Sequence, residues 1–167
     1  CDWSSDVCSS DLRLIGGDGS DTIRAGVDAQ GAPLAGLSNH LVMGDNGEVS
    51  YVGITLAGAG EALRYDSTDT VTVTGGDDLI TLGDGNNVVF GGMGSDQIIT
   101  GVGSDTIFGD NGFLKMDAKG VLLDSLGSKS LVSTTGSYRV TDLGGDDRIT
   151  TQSGEKRVIG GDGADEI

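Results

Sequence analysis

Four oxygen-bearing side chains recur nine residues apart: Asp78, Asn87, Asp96 and Asp105. Two residues before each stands a glycine (Gly76, Gly85, Gly94, Gly103), and two residues after each stands Ile80, Val89, Ile98 or Ile107. Glycine accepts positive φ at little steric cost, so the first six residues of each nine-residue line can turn sharply and end on a carboxylate or amide. The last three residues then make a brief strand whose aliphatic side chain points inward. Nine residues bury no core alone, but stacked lines do, each resting on its neighbours. Stacking also aligns the side-chain oxygens with turn carbonyls. Such hard oxygen donors suit Ca2+.

The elements that position these groups follow from the lines themselves. Residues 73–108 read VTGGDDLIT, LGDGNNVVF, GGMGSDQII, TGVGSDTIF. Gly91 to Ile99 and Gly16 to Arg24 fill every specified place of G-G-x-G-x-D-x-U-x, where U is a large aliphatic residue, and Gly160 to Ile167 fits as far as it runs. These lines resemble the RTX nonapeptide, a repeat of calcium-binding parallel β-helices. The resemblance implies that alternate lines lie on opposite faces of a flattened roll, with each ion between one turn and the turn two lines on. Asp78 would then pair with the line of Asp96, Asn87 with that of Asp105, Asp96 with the turn at 109–112, and Asp147 with Asp165. Asp21 and Asp110 are further candidates, with Gly76, Gly85, Gly92, Gly94 and Gly103 supplying turn carbonyls. Asp21 looks isolated because the line after it is broken. Asp18, Asp77, Asp146 and Asp162 either help or stay solvated. The alternative is that these are good Gly-Asp turns without metal, although stacked, partly desolvated carboxylates repel one another when no cation is present.

Between the lines the pattern changes. Residues 1–12, CDWSSDVCSSDL, resemble a translated sequencing-adapter oligonucleotide and are read as a non-native scar. Residues 13–43 hold roll lines with a loop at 25–34 around Pro33, the sole proline. The line 35–43 is degraded, with Ser38 and His40 where glycine and aspartate are expected. A GDNG turn opens a β-rich insert over 44–72, the central roll spans 73–112, a second insert covers 113–141, and 142–167 is a truncated roll. In the second insert, 113–116, 117–120 and 121–123 read as strand, turn, strand. GDNG recurs at 109–112, and each GDNG either closes a roll turn, with Asp110 lending a ligand, or is an ordinary β-turn. The distances Gly75 to Gly144 and Gly91 to Gly160 are both 69 residues, a larger period. The aliphatic place holds Ile23, Val42, Ile80, Val89, Ile98, Ile107, Ile149, Val158 and Ile167, as a narrow strand ladder prefers. No sustained helical period is present. The expected fold is all-β: a parallel β-roll or β-helix interrupted by hairpin-like inserts.

The chain has 26 acidic and 10 basic residues, net −16; without Asp2, Asp6 and Asp11 the acidic count is 23. That argues against nucleic acid and anionic membrane surfaces, and for cations that relieve self-repulsion. No apolar run approaches the ~20 residues that span a bilayer. Aromatics are 4% and glycines 31 of 167, which suits a thin aliphatic core. Lys156 occupies the carboxylate place in the line 151–159, where its ammonium could act as an internal counter-ion. His40, the only histidine, reads as a surface or packing residue. G-x-S-x-G, H-E-x-x-H and P-loop motifs are absent, and no enzymatic activity is expected.

The reading is a calcium-binding structural module of a secreted or cell-surface bacterial protein, adhesin-like, which folds on extracellular Ca2+. Type I secretion is what the resemblance implies for export. Partners are calcium ions and an unknown surface or host ligand. The alternative is the calcium-binding appendage of a secreted hydrolase or toxin whose active part lies elsewhere. A disordered acidic spacer fits the composition but not the aliphatic ladder.

Overall fold

The computed structural model describes residues 12–34, 36–52, 62–69, 74–116, 122–127, 131–134, 137–140 and 144–167. The stretch 1–11 and the expected turn at 117–120 lie outside the described residues. Among the described residues the strands follow in chain order: β1 (Arg13–Ile15), β2 (Thr22–Ala25), β3 (Leu41–Met43), β4 (Gly47–Val52), β5 (Ala62–Ser67), β6 (Leu79–Leu82), β7 (Val88–Gly92), β8 (Gln97–Thr100), β9 (Asp105–Asp110), β10 (Gly112–Met116), β11 (Leu122–Gly127), β12 (Leu131–Thr134), β13 (Ser137–Val140), β14 (Arg148–Thr151) and β15 (Lys156–Ile159). No helix occurs among the described residues, and the fold is all-β.

Successive lines deposit their strands alternately on two parallel sheets. One has the order β1-β3-β7-β9-β15 and the other β14-β8-β6-β2. Equivalent places are in register: Ile80 pairs with Ile98, and Val89 with Ile107. Between the sheets Val42, Ile80, Val89, Ile98, Ile107 and Ile149 form one buried cluster with Ala25 and Leu82, and Leu14, Ile23 and Val158 pack against it. β-branched side chains are stiff at χ1, so one per strand stacks into a ladder without gaps at low entropic cost. Ile167 is the exception in its series and is exposed. The loop at 25–34 is compact: Asp28 accepts the N–H groups of Gln30 and Ala32, and Val27 bridges Pro33.

Both inserts contribute to one antiparallel sheet, β11-β10-β5-β4, in which β10 of the second insert pairs with β5 of the first. It covers the outer face of the β3-β7-β9 sheet through a second core of Leu41, Met43, Tyr65, Phe90, Phe108 and Leu114. The rings of Phe90 and Phe108, register neighbours on β7 and β9, stack with centroids 4.7 Å apart. β12 and β13 pair antiparallel as a two-stranded sheet among the described residues.

Candidate metal centre

The roll has two turn edges, and they are built differently. Along the edge entering the β14-β8-β6-β2 sheet, Asp21, Asp78, Asp96, Asp147 and Asp165 stack in one column. Each backbone N–H donates to Oδ1 of the next aspartate: Asp21 to Asp78 at 2.8 Å, Asp78 to Asp96 at 2.9 Å, Asp96 to Asp147 at 2.8 Å and Asp147 to Asp165 at 3.1 Å. Asp21 is therefore not isolated. The broken line after it belongs to the opposite sheet, and its true neighbour is Asp78. Along the column Asp96 is followed by Asp147, because the chain leaves for the second insert before it returns to this sheet as β14. The 109–112 turn stacks on Gly91 and Gly92, and the carbonyl of Gly109 that opens it lies beside Asp96 Oδ2.

The other oxygen of each carboxylate is the informative one. Oδ2 of Asp21, Asp78, Asp96 and Asp147 is buried and has no hydrogen-bond partner among the described residues. Each lies beside a glycine that opens a turn and next to the carbonyl of the following one. A methyl group on Gly44 would strike Asp78 Oδ2 and Gly91 O; on Gly91, Asp96 Oδ2 and Gly109 O; on Gly109, Asp147 Oδ2 and Gly160 O. Acceptors thus face acceptors with no donor between them. Burial is the main cause that pushes three carboxyls up, with neighbouring aspartates adding to it: Asp96 to about 9, Asp147 to about 7 and Asp78 to about 6. Buried, orphaned carboxylate oxygens beside carbonyls are the donor set of a hard divalent cation. Among the described residues no three His, Cys, Asp or Glu side chains converge. What each turn brings together is one carboxylate oxygen and a backbone carbonyl.

The opposite edge carries His40, Asn87, Asp105 and Lys156 at the equivalent place. His40 N donates to Asn87 Oδ1 at 3.1 Å, and Asn87 N donates to Asp105 Oδ1 at 2.9 Å. The ladder then changes, because Lys156 Nζ donates to Asp105 Oδ2 at 2.6 Å, Gly103 O at 2.8 Å and Gly101 O at 3.0 Å. Asn87 and Asp105 therefore stand apart from the aspartates with which sequence grouped them: their oxygens are filled by N–H donors.

The candidate glycines divide between the two edges. Gly76 and Gly94 stack with Gly19 and Gly145 on the aspartate edge, and Gly85 and Gly103 stack with Gly154 on the other. Gly94 and Gly103 have φ of 107° and 147°, and a methyl on Gly103 would strike Gly85 O, so both conformation and contact demand glycine. Gly92 packs against the carboxylate of Asp45. Asp45 has the same role as Asp110. Asp45 accepts N–H groups from Gly76 and Met93, and Asp110 accepts them from Gly145 and Asp162. Burial raises Asp45 to about 7 and Asp110 to about 6, although these N–H groups act in the opposite direction. Both carboxylates clamp turns across the two sheets. The signal for Asp45 was Gly-Asp at 44–45 and 109–110, where 91–92 and 160–161 are Gly-Gly. Asp77 and Asp146 spend one oxygen each on the N–H of the next turn, at Ser95 and Ala164.

A family model, the RTX calcium-binding nonapeptide repeat, matches in four copies over residues 13–29, 65–98, 90–112 and 139–167, together more than half of the chain. The chain belongs to this family. RTX nonapeptide repeats bind Ca2+, and the open oxygens of this roll fit that ion. No significant match is found among curated proteins or solved structures.

Proposed function

We propose that this RTX chain is a calcium-dependent structural module of a secreted or cell-surface bacterial protein, adhesin-like, whose roll consolidates when it meets extracellular Ca2+. One observation carries the reading: the row of buried Oδ2 atoms on Asp21, Asp78, Asp96 and Asp147, each opposed by a carbonyl instead of a donor. Asp21, Asp78, Asp96 and Asp147 would hold the ions, with Asp165 ending the column, together with turn carbonyls such as those of Gly44, Gly91, Gly109 and Gly160. The bound ion supplies the positive charge that the stacked acceptors lack.

The chain's own part is to align the oxygens. The N–H to Oδ1 ladder fixes Asp78, Asp96 and Asp147 so that only the second oxygen of each stays open. These sites do not exist in the unfolded chain, so binding free energy becomes folding free energy. Extracellular modules bind calcium at ~10⁻⁴–10⁻³ M, which leaves cytosolic chains loose and exported ones ordered by mass action. An unfolded cytosolic state also suits type I secretion. In this reading the chain holds no catalytic centre. His40 is buried, and its Nδ1 accepts the N–H of Leu12. The test is circular dichroism of the whole chain during a calcium titration followed by a chelator. The β signal should rise with calcium and fall on chelation. An equally ordered chain with every metal stripped away would sink the proposal.

A further inference from the structure

The two turn edges share a frame and differ in what fills it. On the aspartate edge Asp78, Asp96 and Asp147 each accept one N–H at Oδ1 and leave Oδ2 open. On the opposite edge the same first bond is made, from Asn87 N to Asp105 Oδ1, but the other side-chain oxygens of Asn87 and Asp105 are occupied as well. Asn87 Nδ2 donates to Asp105 Oδ1 at 3.0 Å and to Gly83 O at 3.4 Å. Lys156 Nζ satisfies Asp105 Oδ2 and the carbonyls of Gly101 and Gly103. An ammonium has three donors and no acceptor. Here three donors meet three oxygens, one carboxylate and two carbonyls of the same turn.

That set is what a turn offers a cation. Gly101, Gly103 and Asp105 hold the places that Gly92, Gly94 and Asp96 hold on the other edge. Ca2+ takes six to eight oxygens at about 2.3–2.6 Å. A lysine ammonium needs only the three it has, and it arrives covalently tethered. The side chain of Lys156 is 12% exposed and that of Asp105 fully buried, so the pair is held away from water.

We infer that the roll is one-sided: calcium is taken only along the edge of Asp21, Asp78, Asp96, Asp147 and Asp165, while the edge of Asn87 and Asp105 is closed by the chain's own donors, with the Lys156 ammonium in the position of a cation. The first half of this statement rests on the calcium reading above; the second rests on the contacts of Lys156 and Asn87 alone. The closed edge gives the stack one seam, β9 to β15, whose charge balance does not depend on calcium supply.

The test counts bound ions by equilibrium dialysis with radioactive calcium at saturation. Asp96→Asn should bind fewer ions than the parent chain, and Asp105→Asn should bind the same number. Lys156→Asp should bind one more, because it opens the oxygens of Gly101, Gly103 and Asp105. Loss of an ion from Asp105→Asn, or no gain from Lys156→Asp in a folded variant, would overturn the inference. A second measurement uses the parent chain and so does not depend on any variant folding. In saturating calcium, lysine acetylation read by mass spectrometry should label Lys115 while sparing Lys156, and equal labelling would sink the closed edge. A parent chain that binds no calcium sinks the reading of the aspartate edge instead, so the two failures are told apart.

Discussion

Asp96 shows at the scale of one residue what a bound cation would relieve. It is 2% exposed, and its neighbours along the column are Asp78 and Asp147. Burial first, and those two charges next, lift its carboxyl to about 9 when no ion is present. A folded-state pKa above the unfolded value of 3.8 means that folding takes up protons. Acid therefore supports the calcium-free roll, and the support is lost as pH rises through about 6 for Asp78, 7 for Asp147 and 9 for Asp96. This is opposite in sign to a salt-bridged aspartate. In chelator, the β signal should be larger at pH 5 than at pH 9. With calcium present, the proton competes for the same oxygens, so half-saturation should move to lower calcium as pH climbs from 5 to 8. A calcium requirement indifferent to pH across that window would contradict the burial of these oxygens. At this scale the aspartates were legible in sequence, because type and spacing mark them. What divides Asp105 from Asp96 was only partly so. Lys156 stood out in the line 151–159, but the three oxygens it satisfies come from a turn some fifty residues earlier, a proximity that only the folded roll creates.

At the scale of elements the nine-residue period carried the inner core and missed the outer one. The aliphatic place pointed to the ladder of Val42, Ile80, Val89, Ile98, Ile107 and Ile149, which the structure buries together. The outer core was written in the next place along. Lines on one sheet end in Met43, Phe90 and Phe108, whereas lines on the other end in Arg24, Thr81, Ile99 and Thr150. That alternation marks the sheet face covered by the inserts, and a reading confined to the places shared by all lines averages it away. The two cores should respond separately. Ile98→Ala removes a fully buried side chain from the inner ladder and should cost ~2–5 kcal/mol. Phe108→Ala removes the stacked ring under the insert sheet and should cost ~3–5 kcal/mol. Denaturant melts in saturating calcium check both magnitudes. Phe108→Ala should also leave the number of bound ions unchanged, since the ring touches no carboxylate column. A lower ion count in Phe108→Ala would mean that the insert sheet, and not the turns alone, sets the sites.

The molecule as a whole behaves as a one-dimensional stack, and its calcium response should show it. From Asp78 onward each aspartate on the open edge is oriented by the N–H of the preceding line, so ordering one turn presents the acceptor that orders the next. In repeat arrays such nearest-neighbour terms couple the units. The inserts strengthen this coupling by joining two distant segments: β5 and β10 pair across one sheet that lies on three strands of the roll. The net charge of −16 acts the other way, because each bound ion weakens the pull on the next cation. The ladder and the coupled folding should still make the dichroism titration steeper than a single-site curve, with a Hill coefficient above one, and high salt should screen the opposing electrostatic part while leaving the ladder's contribution. Magnesium provides the sharper discrimination. It demands near-octahedral ligands at about 2.0–2.1 Å and gives up its water reluctantly, whereas carbonyls fixed in stacked turns by sheet spacing cannot close around it. Magnesium at the concentration that saturates the calcium transition should leave the β signal near its chelated level. If magnesium folds the chain as well as calcium does, the carboxylate column acts only through charge neutralisation, and the aligned carbonyls have no part in choosing the ion.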